Sequence, residues 1–463
     1  MDGDARISPY LSGNFAPVRS EDDFVLEVKG EIPRELRGAL FRNGPNPQFE
    51  PRDPNYHWFT GDGMFHGFWV EDGKVRYANR WVRTHKWNIE HAAGRSLFGT
   101  FGNPMTTDPE YFGQDSGVAN TAIIWHGGRL LALEEAHPPT AMDPKTLETL
   151  GYHDLGGKVT AHPKIDPVTG EMIFFGYNDA PMPFTTKVSY GVANKDGSLQ
   201  RRETFDAPYS SMIHDFMVTR NHVLFPILPL SGSLERAMSG KPPFAWEPEK
   251  PALVGVMRRD EDTSKIRWFS TDACYVFHVM NSWEEGQKII CDVMKYRVAP
   301  LFPNADGSRG EQCGAYLVRW TFDLADSSDT IREEPLDDLA GEFPRYDERF
   351  GMAANRHGWF AGQSGKPGDV RTDMLAHIDL ATGKRTDWFT GKGDALSEPV
   401  FVERSADAPE GDGWIVAVAY RAAEDTSEFL VFEAQDVAAG PIATAKMPRR
   451  VPFGFHGAWV NGV

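Results

Sequence analysis

Short apolar or aromatic runs, each ended by a tight-turn signal, recur along nearly the whole sequence. In FHGFWV-EDGK-VRYANRWV, an Asp-Gly turn separates two runs that are typical of β-strands. Similar pairs of runs surround turn signals at 126–128, 167–170, 284–286 and 381–383. Few segments have the 3.6-residue period of a helix, so the pattern predicts an all-β fold.

Repeated hairpins over 463 residues favour a β-propeller, although the pattern alone does not give the number of blades. Helices are predicted only at 83–99 and 230–240. The stretch 228–252 is expected to be a long functional loop, a lid or a binding loop. No Pro- or Ser-rich linker divides the sequence, so we expect one domain over residues 1–463.

The sequence has 48 Lys and Arg against 66 Asp and Glu, a net charge of −18. This balance disfavours nucleic acid and anionic membranes as electrostatic partners, because both require a basic surface. The three cysteines form no CxxC motif, which is typical of reduced thiols in a cytoplasmic protein. No signal peptide is recognisable, and no apolar run approaches the length of a membrane span.

Four histidines stand among apolar or small residues: His162 in TAHPK, His214 in MIHDF, His278 in VFHVMNSW and His456 in FGFHGAW. Neutral imidazole is the commonest metal ligand among side chains. The histidines are 52, 64 and 178 residues apart, so only a closed, radial fold would bring them together. Spacing alone does not select them, because other histidines, such as His66 and His377, also stand in strand-like runs.

Collinear motifs give a more specific indication: LSGNFAPV, RNGPNPQF, HWFTGDGMFHG, ANRWVRT, TAHPKIDP, HDFMVTRNHVLFP, DACYVFHVMNSW, EFPRYDER, SEPVFV and GFHGAW. With them the sequence resembles the carotenoid cleavage oxygenase family, which includes apocarotenoid oxygenases and lignostilbene dioxygenases. The resemblance implies a seven-bladed β-propeller with a small helical or loop cap over its metal-bearing face. It also implies one non-haem Fe(II) per chain, with the ligands His162, His214, His278 and His456.

The resemblance further implies three glutamates that hold the ligating histidines: Glu135, Glu342 and Glu398. A ligating imidazole usually donates its second N–H to such a partner, which fixes the tautomer and the ring orientation. The alternative for each glutamate is a surface residue or an ordinary ion pair. Glu134 stands beside Glu135, and strand alternation would direct only one of the two side chains towards the axis.

The reaction that the resemblance implies is cleavage of a conjugated C=C bond by O₂, with one oxygen atom in each of two carbonyl products. No catalytic acid or base is expected beyond the iron centre. Two alternatives stay open: a non-cleaving isomerase on the same scaffold, and an inactive propeller that serves as a binding module. The complete set of histidines and glutamates argues against the second.

Two positions bear on the substrate. Lignostilbene-type members bind the phenolic hydroxyl through a tyrosine and a lysine where this sequence has Phe101 and Glu134. The change favours an apocarotenoid or similar polyene over the alternative, a stilbene, lignostilbene or phenylpropene. Phe59, Phe101, Phe277 and Phe455 are expected to line the substrate tunnel, unless they belong to the propeller core. A hydrophobic substrate also suggests transient membrane contact at an apolar tunnel mouth near 228–245.

Overall fold

A computed structural model describes residues 8–53, 56–100, 104–365 and 370–463.

The predicted Asp-Gly hairpin shows how neighbouring strands of this fold are joined. Asp72 and Gly73 both have positive φ, 48° and 73°, as the tightest hairpin turn requires, and Glu71 pairs with Lys74 across the turn. Glycine adopts this conformation without strain, which is why Gly follows Asp there.

The first strands in chain order are β1 (Asp23–Val25), β2 (Glu27–Gly30), β3 (Gly38–Pro45), β4 (Gly63–Glu71), β5 (Lys74–Trp81), β6 (Ala122–His126), β7 (Arg129–Leu133), β8 (Thr140–Met142), β9 (Thr149–Tyr152), β10 (Lys164–Ile165), β11 (Met172–Tyr177), β12 (Lys187–Ala193), β13 (Leu199–Asp206), β14 (Met217–Val218), β15 (His222–Ile227), β16 (Leu230–Gly232), β17 (Phe244–Trp246), β18 (Ala252–Arg258) and β19 (Arg267–Thr271). The strands that follow are β20 (Tyr275–Glu285), β21 (Lys288–Tyr296), β22 (Ala315–Asp323), β23 (Arg332–Pro335), β24 (Gly341–Tyr346), β25 (His357–Gly362), β26 (Met374–Asp379), β27 (Lys384–Phe389), β28 (Ala395–Leu396), β29 (Val400–Glu403), β30 (Gly413–Arg421), β31 (Thr426–Glu433), β32 (Ala443–Lys446) and β33 (Gly457–Asn461).

Within the described residues these strands form eight antiparallel sheets, of which seven are the blades of a propeller and the eighth is a two-stranded ribbon of β16 and β17. Blades 2 to 6 are each continuous in sequence: β6–β9, β10–β13, β14–β15 with β18–β19, β20–β23, and β24–β27. Blade 1 joins β33 to β3, β4, β5 and β1, and blade 7 joins β28 and β29 to β30, β31, β32 and β2. The prediction of a seven-bladed, all-β propeller is confirmed.

The ring is closed by strands from both ends of the sequence. β33 pairs with β3 at the inner side of blade 1, from Arg42 opposite Gly457 to Gly38 opposite Asn461. β2 is the outer strand of blade 7, where it pairs with β32. Blades 1 and 7 are therefore each held together by segments that are distant in sequence.

The core lies between neighbouring blades. Trp359 of β25 is fully buried, and its indole N–H donates to the carbonyl of Ala434 at 2.7 Å. Its ring stacks on Phe401 of β29, with 4.9 Å between ring centroids. This tryptophan therefore joins blade 6 to blade 7 through both packing and a hydrogen bond.

Two α-helices are described, α1 (His85–Ala93) and α2 (Leu234–Met238), at the predicted positions. Thr84 accepts from the Trp87 N–H to cap α1, and Gly94 ends it at φ 69°. The stretch 228–252, expected to be a loop, contains α2 and a ribbon of β16 and β17. No described helix has the length and apolar character that a membrane crossing requires.

Candidate metal centre and substrate cavity

The four histidines come from the inner ends of four blades. His162 precedes β10, His214 precedes β14, and His456 immediately precedes β33. His278 lies within β20, where the pairing with β21 shifts register between Val276 and Asn281. Such a bulge re-aims a side chain, and here it accompanies a histidine at the axis.

The Nε2 atoms of the four histidines converge. The Nε2 of His214 lies 3.0 Å from that of His162 and 3.3 Å from that of His278. The Nε2 of His278 lies 3.1 Å from that of His456. All four candidate ligand atoms lie within 4.8 Å of one another, so the structure brings the predicted set together.

This spacing fits a single metal ion. Ligand nitrogens at adjacent positions, each about 2.1 Å from an ion, are about 3.0 Å apart. Burial and the neighbouring imidazoles hold the pKa of His162 well below its usual value, and burial lowers the pKa of His456 to about 4. Burial also acts to lower the pKa of His278, but Glu342 outweighs it and that pKa is raised. Neutral imidazoles are the form that binds metals, so His162 and His456 already have the protonation state that a metal cation requires.

Three of the histidines contact the three predicted glutamates through Nδ1. The Oε1 of Glu135 lies 2.5 Å from the Nδ1 of His214, in a contact bent away from ideal hydrogen-bond geometry. Glu342 and Glu398 accept from the Nδ1 of His278 and His456 at 2.5 and 3.0 Å. A carboxylate on Nδ1 keeps the proton there and leaves the lone pair of Nε2 directed at the centre.

Of these three glutamates, Glu398 has the most partners. Its Oε2 accepts from the Gly457 N–H at 2.7 Å and lies 3.3 Å from Nη1 of Arg345. Burial alone would raise the pKa of Glu398, but Arg345 and His456 hold that pKa at about 2. The buried carboxylate is therefore ionised at neutral pH and can orient His456.

The backbone beside Glu342 is strained. Phe343 has φ 58°, a left-handed conformation that aromatic residues rarely adopt, and its N–H donates to the Oε2 of Glu342 at 2.9 Å. This turn places the Phe343 ring 5.4 Å from the rings of both His278 and His456. Strain of this kind is typical of functional sites.

A cavity of about 420 Å³ adjoins three of the histidines. Phe59, Phe277 and Phe455, which the sequence analysis expected along a substrate tunnel, are among its lining residues, whereas Phe101 lies outside the described residues. The sequence analysis did not identify the other aromatic lining residues, which are Trp58, Tyr177, Phe184, Phe244, Tyr296 and Phe343. The sequence analysis chose candidate lining residues only from the family motifs, and Tyr177 and Tyr296 lie outside those motifs.

Glu134 lines the same cavity, but its carboxylate has partners in the cavity wall. Its Oε1 accepts from the N–H groups of Val118 and Ala119 at 2.8 and 3.3 Å. It also lies 2.9 Å from the Nδ1 of His137, a lining residue that the sequence analysis missed. The spacing of Glu134 and His137 by three residues was the available signal, since side chains so close in sequence can pair.

Comparisons with known proteins agree with this architecture. Residues 15–461 match the profile of the family described as retinal pigment epithelial membrane protein. The chain is 40% identical to isoeugenol monooxygenase from Pseudomonas putida, over 98% of both chains. Lignostilbene dioxygenase from Pseudomonas brassicacearum superposes with a TM-score of 0.94 at 36% identity, over 98% of this chain and 99% of that one.

A cobalt-substituted apocarotenoid oxygenase from Synechocystis superposes with a TM-score of 0.85 at 29% identity, over 96% of this chain and 97% of that one. The sequence match, the shared propeller and the histidine cluster therefore lead to one assignment. The chain belongs to the carotenoid cleavage oxygenase family, whose profile is described as retinal pigment epithelial membrane protein.

Proposed function

We propose that this protein uses Fe(II) and O₂ to cleave a conjugated C=C bond into two carbonyl products. The convergence of four imidazole Nε2 atoms beside an aromatic cavity is the observation that supports this function most directly. The residues that would hold the ion are His162, His214, His278 and His456. When bound, Fe(II) would supply the activation of O₂ that addition to an alkene requires.

The protein's own residues have separate tasks in this proposal. Glu135, Glu342 and Glu398 orient three of the imidazoles through their Nδ1 atoms. His162 has no carboxylate within ion-pair distance in the described parts of the chain, so its orientation depends on packing. The aromatic walls bind the conjugated system of the alkene and exclude water, which protects the reacting carbons from side reactions.

Two substrate classes are compatible with this site, a polyene such as an apocarotenoid and an aryl alkene such as a stilbene or a phenylpropene. The relatives described above include enzymes named for both classes. The cavity volume of about 420 Å³ is towards the small end of the range for ligand pockets, about 300–1,000 Å³, which favours a compact alkene.

The test is anaerobic loading with Fe(II), followed by reaction under ¹⁸O₂ and mass spectrometry of the products. We expect one iron per chain and two aldehyde or ketone fragments, each carrying one ¹⁸O when product exchange with water is quenched quickly. The matched control is His162→Ala, which should neither retain iron nor give fragments. Product of unchanged mass would identify an isomerase and contradict the cleavage, and wild-type protein that binds no iron would contradict the metal site.

A further inference from the structure

A buried carboxylate directly follows one of the candidate metal ligands. Asp215 comes after His214 in the sequence and is only 2% exposed. Its Oδ1 accepts from the N–H of Phe216 at 2.7 Å, which fixes the carboxylate relative to its own backbone. A carboxylate is costly to bury unless it is paired and hydrogen-bonded, so its remaining partners show which parts of the chain it holds together.

These remaining partners lie beside other histidines of the cluster. The Oδ1 of Asp215 also accepts from Nζ of Lys164 at 2.6 Å, and Lys164 is two residues beyond His162. The Oδ2 accepts from the Val279 N–H at 2.9 Å, and Val279 directly follows His278. Because the aspartate itself follows a third histidine, one carboxylate links the segments that carry three of the four candidate ligands.

The hydrogen bond to Val279 lies at an irregular part of β20. Val276 is opposite Lys295 and Val279 is opposite Val293, so two residues of β20 face a single residue of β21. His278 is one of those two residues. A bulge leaves a residue outside the regular ladder, so contacts from outside the sheet decide where its side chain points. The aspartate carboxylate is such a contact, one residue away from the histidine.

Lys164 extends the same link to His162. In the described ranges of the chain no carboxylate lies within ion-pair distance of His162, unlike the other three histidines of the cluster. Lys164 is the first residue of β10, and its half-buried side chain reaches the buried carboxylate of Asp215. An ion pair withdrawn from water is screened less than a pair on the surface. It therefore anchors the start of β10, and with it the short segment that carries His162.

Building on the proposed function, we propose that Asp215 and Lys164 are positioning residues of the metal centre. Together they set the distances among three of the four histidines, whereas Glu135, Glu342 and Glu398 set the direction of individual rings. A ring that points in the right direction still misses the ion if the segment that carries it lies too far away. Ligand atoms must lie within about 0.5 Å of the required positions, so both kinds of contact are needed.

The experiment compares Asp215→Asn with Asp166→Asn, the matched control. Asp166 is also buried, and it pairs with Arg220 and Arg259, neither of which adjoins a histidine of the cluster. Each substitution therefore removes one buried carboxylate from an ion pair, but only Asp215→Asn affects the link between the histidines. Two readouts are taken on the full chain: Kd and visible absorption bands from titration with Co(II), and histidine positions in crystal structures of the metal-free proteins.

We expect Asp215→Asn to weaken Co(II) binding by about 10- to 100-fold, the usual loss when an outer partner of a metal site is removed. The bands of bound Co(II) should also change, because they report the arrangement of the ligands. In the metal-free crystals the 3.3 Å separation between Nε2 of His214 and that of His278 should change by at least about 0.5 Å. Asp166→Asn should leave all three quantities as they are in wild-type protein.

Lys164 supplies a second pair of variants. Lys164→Met leaves the Asp215 carboxylate and its two backbone hydrogen bonds in place and should weaken Co(II) binding by about tenfold, whereas Lys164→Arg keeps the charge and should retain most of the affinity. Wild-type affinity in both Asp215→Asn and Lys164→Met, or an equal loss in Asp166→Asn, would overturn the inference. A wild-type protein that binds no Co(II) would count against the proposed function, while the metal-free crystal structures would still decide the role of Asp215.

Discussion

Arg345 lies 3.3 Å from the Oε2 of Glu398, so a half-buried arginine supports the carboxylate that orients a candidate metal ligand. The other oxygen of Glu398 accepts from the Nδ1 of His456 at 3.0 Å. The two contacts form a line from cation to carboxylate to imidazole. Glu398 is buried, so removal of Arg345 would leave a carboxylate inside the protein without its cation, whereas Arg345 is half-buried and also pairs with Glu348.

Glu398→Gln should weaken iron binding by about 10- to 100-fold, the usual effect of losing such a supporting carboxylate. It should also lower the stability by about 1–3 kcal/mol, the usual effect of losing hydrogen bonds to a charged group, because Arg345 keeps its ion pair with Glu348. Iron per chain by elemental analysis and the thermal unfolding midpoint are the measurements. Glu403→Gln is the control, since this half-buried residue of blade 7 accepts from Asn461 of blade 1 and is not one of the glutamates that contact the histidine cluster. Equal iron content in the two variants would contradict the role of Glu398.

Loss of a ligating imidazole should abolish iron binding and leave the propeller folded. His162 has no ion pair in the described residues, so His162→Ala removes a nitrogen donor with little other change. We expect less than about a tenth of the wild-type iron content, with an unchanged far-ultraviolet circular dichroism spectrum. His153→Ala should keep full iron content. Full iron content in His162→Ala would mean that the ion is held elsewhere.

Trp359→Ala should cost about 3–5 kcal/mol of stability, because it opens a cavity and removes a hydrogen bond between blades 6 and 7. Trp125→Ala in β6 is the comparison, since 37% of Trp125 is exposed, and its effect should stay within about 0.5 kcal/mol. Denaturant unfolding midpoints measure both changes. Similar midpoints for the two variants would show that Trp359 is not a principal contact between these blades.

The contribution of the His137 ion pair to stability should depend on pH. A pKa raised to about 9 means that the stabilisation is complete below about pH 6.5 and is lost as the pH rises through 9. The difference in thermal midpoint between wild-type protein and His137→Gln should therefore be largest near pH 6 and smallest near pH 10. A difference that grows with pH would contradict this assignment of charge.

Gly117 gives a test that leaves every charged group in place. A Cβ at this position would lie 3.0 Å from Oε1 of Glu134 and 3.1 Å from Cγ of His137. Gly117→Ala should displace Glu134 and His137 and lower the free energy of unfolding by about 1 kcal/mol, measured by denaturant unfolding. Gly365→Ala is the control, since a Cβ there meets nothing within 4 Å. An unchanged free energy of unfolding in Gly117→Ala would show that these side chains can move aside without cost.

The sequence predicted the large elements well because hairpins carry local signals. The turn at Asp72 and Gly73 and the glycine pair at 127–128 are found between paired strands. The ribbon of β16 and β17 was missed because strands of three residues are too short to show alternation. Such a ribbon is recognisable only from its pairing across 11 intervening residues or more.

At the site, motifs placed the four histidines, but sequence could not show which of two adjacent glutamates meets a ligand. In the structure Glu135 lies against His214, while Glu134 turns towards Val118 and Ala119. The charge state of His137 was also hidden, because it depends on Asp115, which lies 22 residues away in the sequence. Contacts of this kind exist only after the blades have assembled.

The strand that closes the propeller also carries consequences for metal loading. β33 pairs with β3 directly after His456, so the fourth histidine reaches the axis only when the first blade has received its inner strand. Until then a nascent chain offers only three of the four imidazoles to a metal ion. A complete set of four ligands would therefore exist, and retain the metal, only in molecules whose two ends have met.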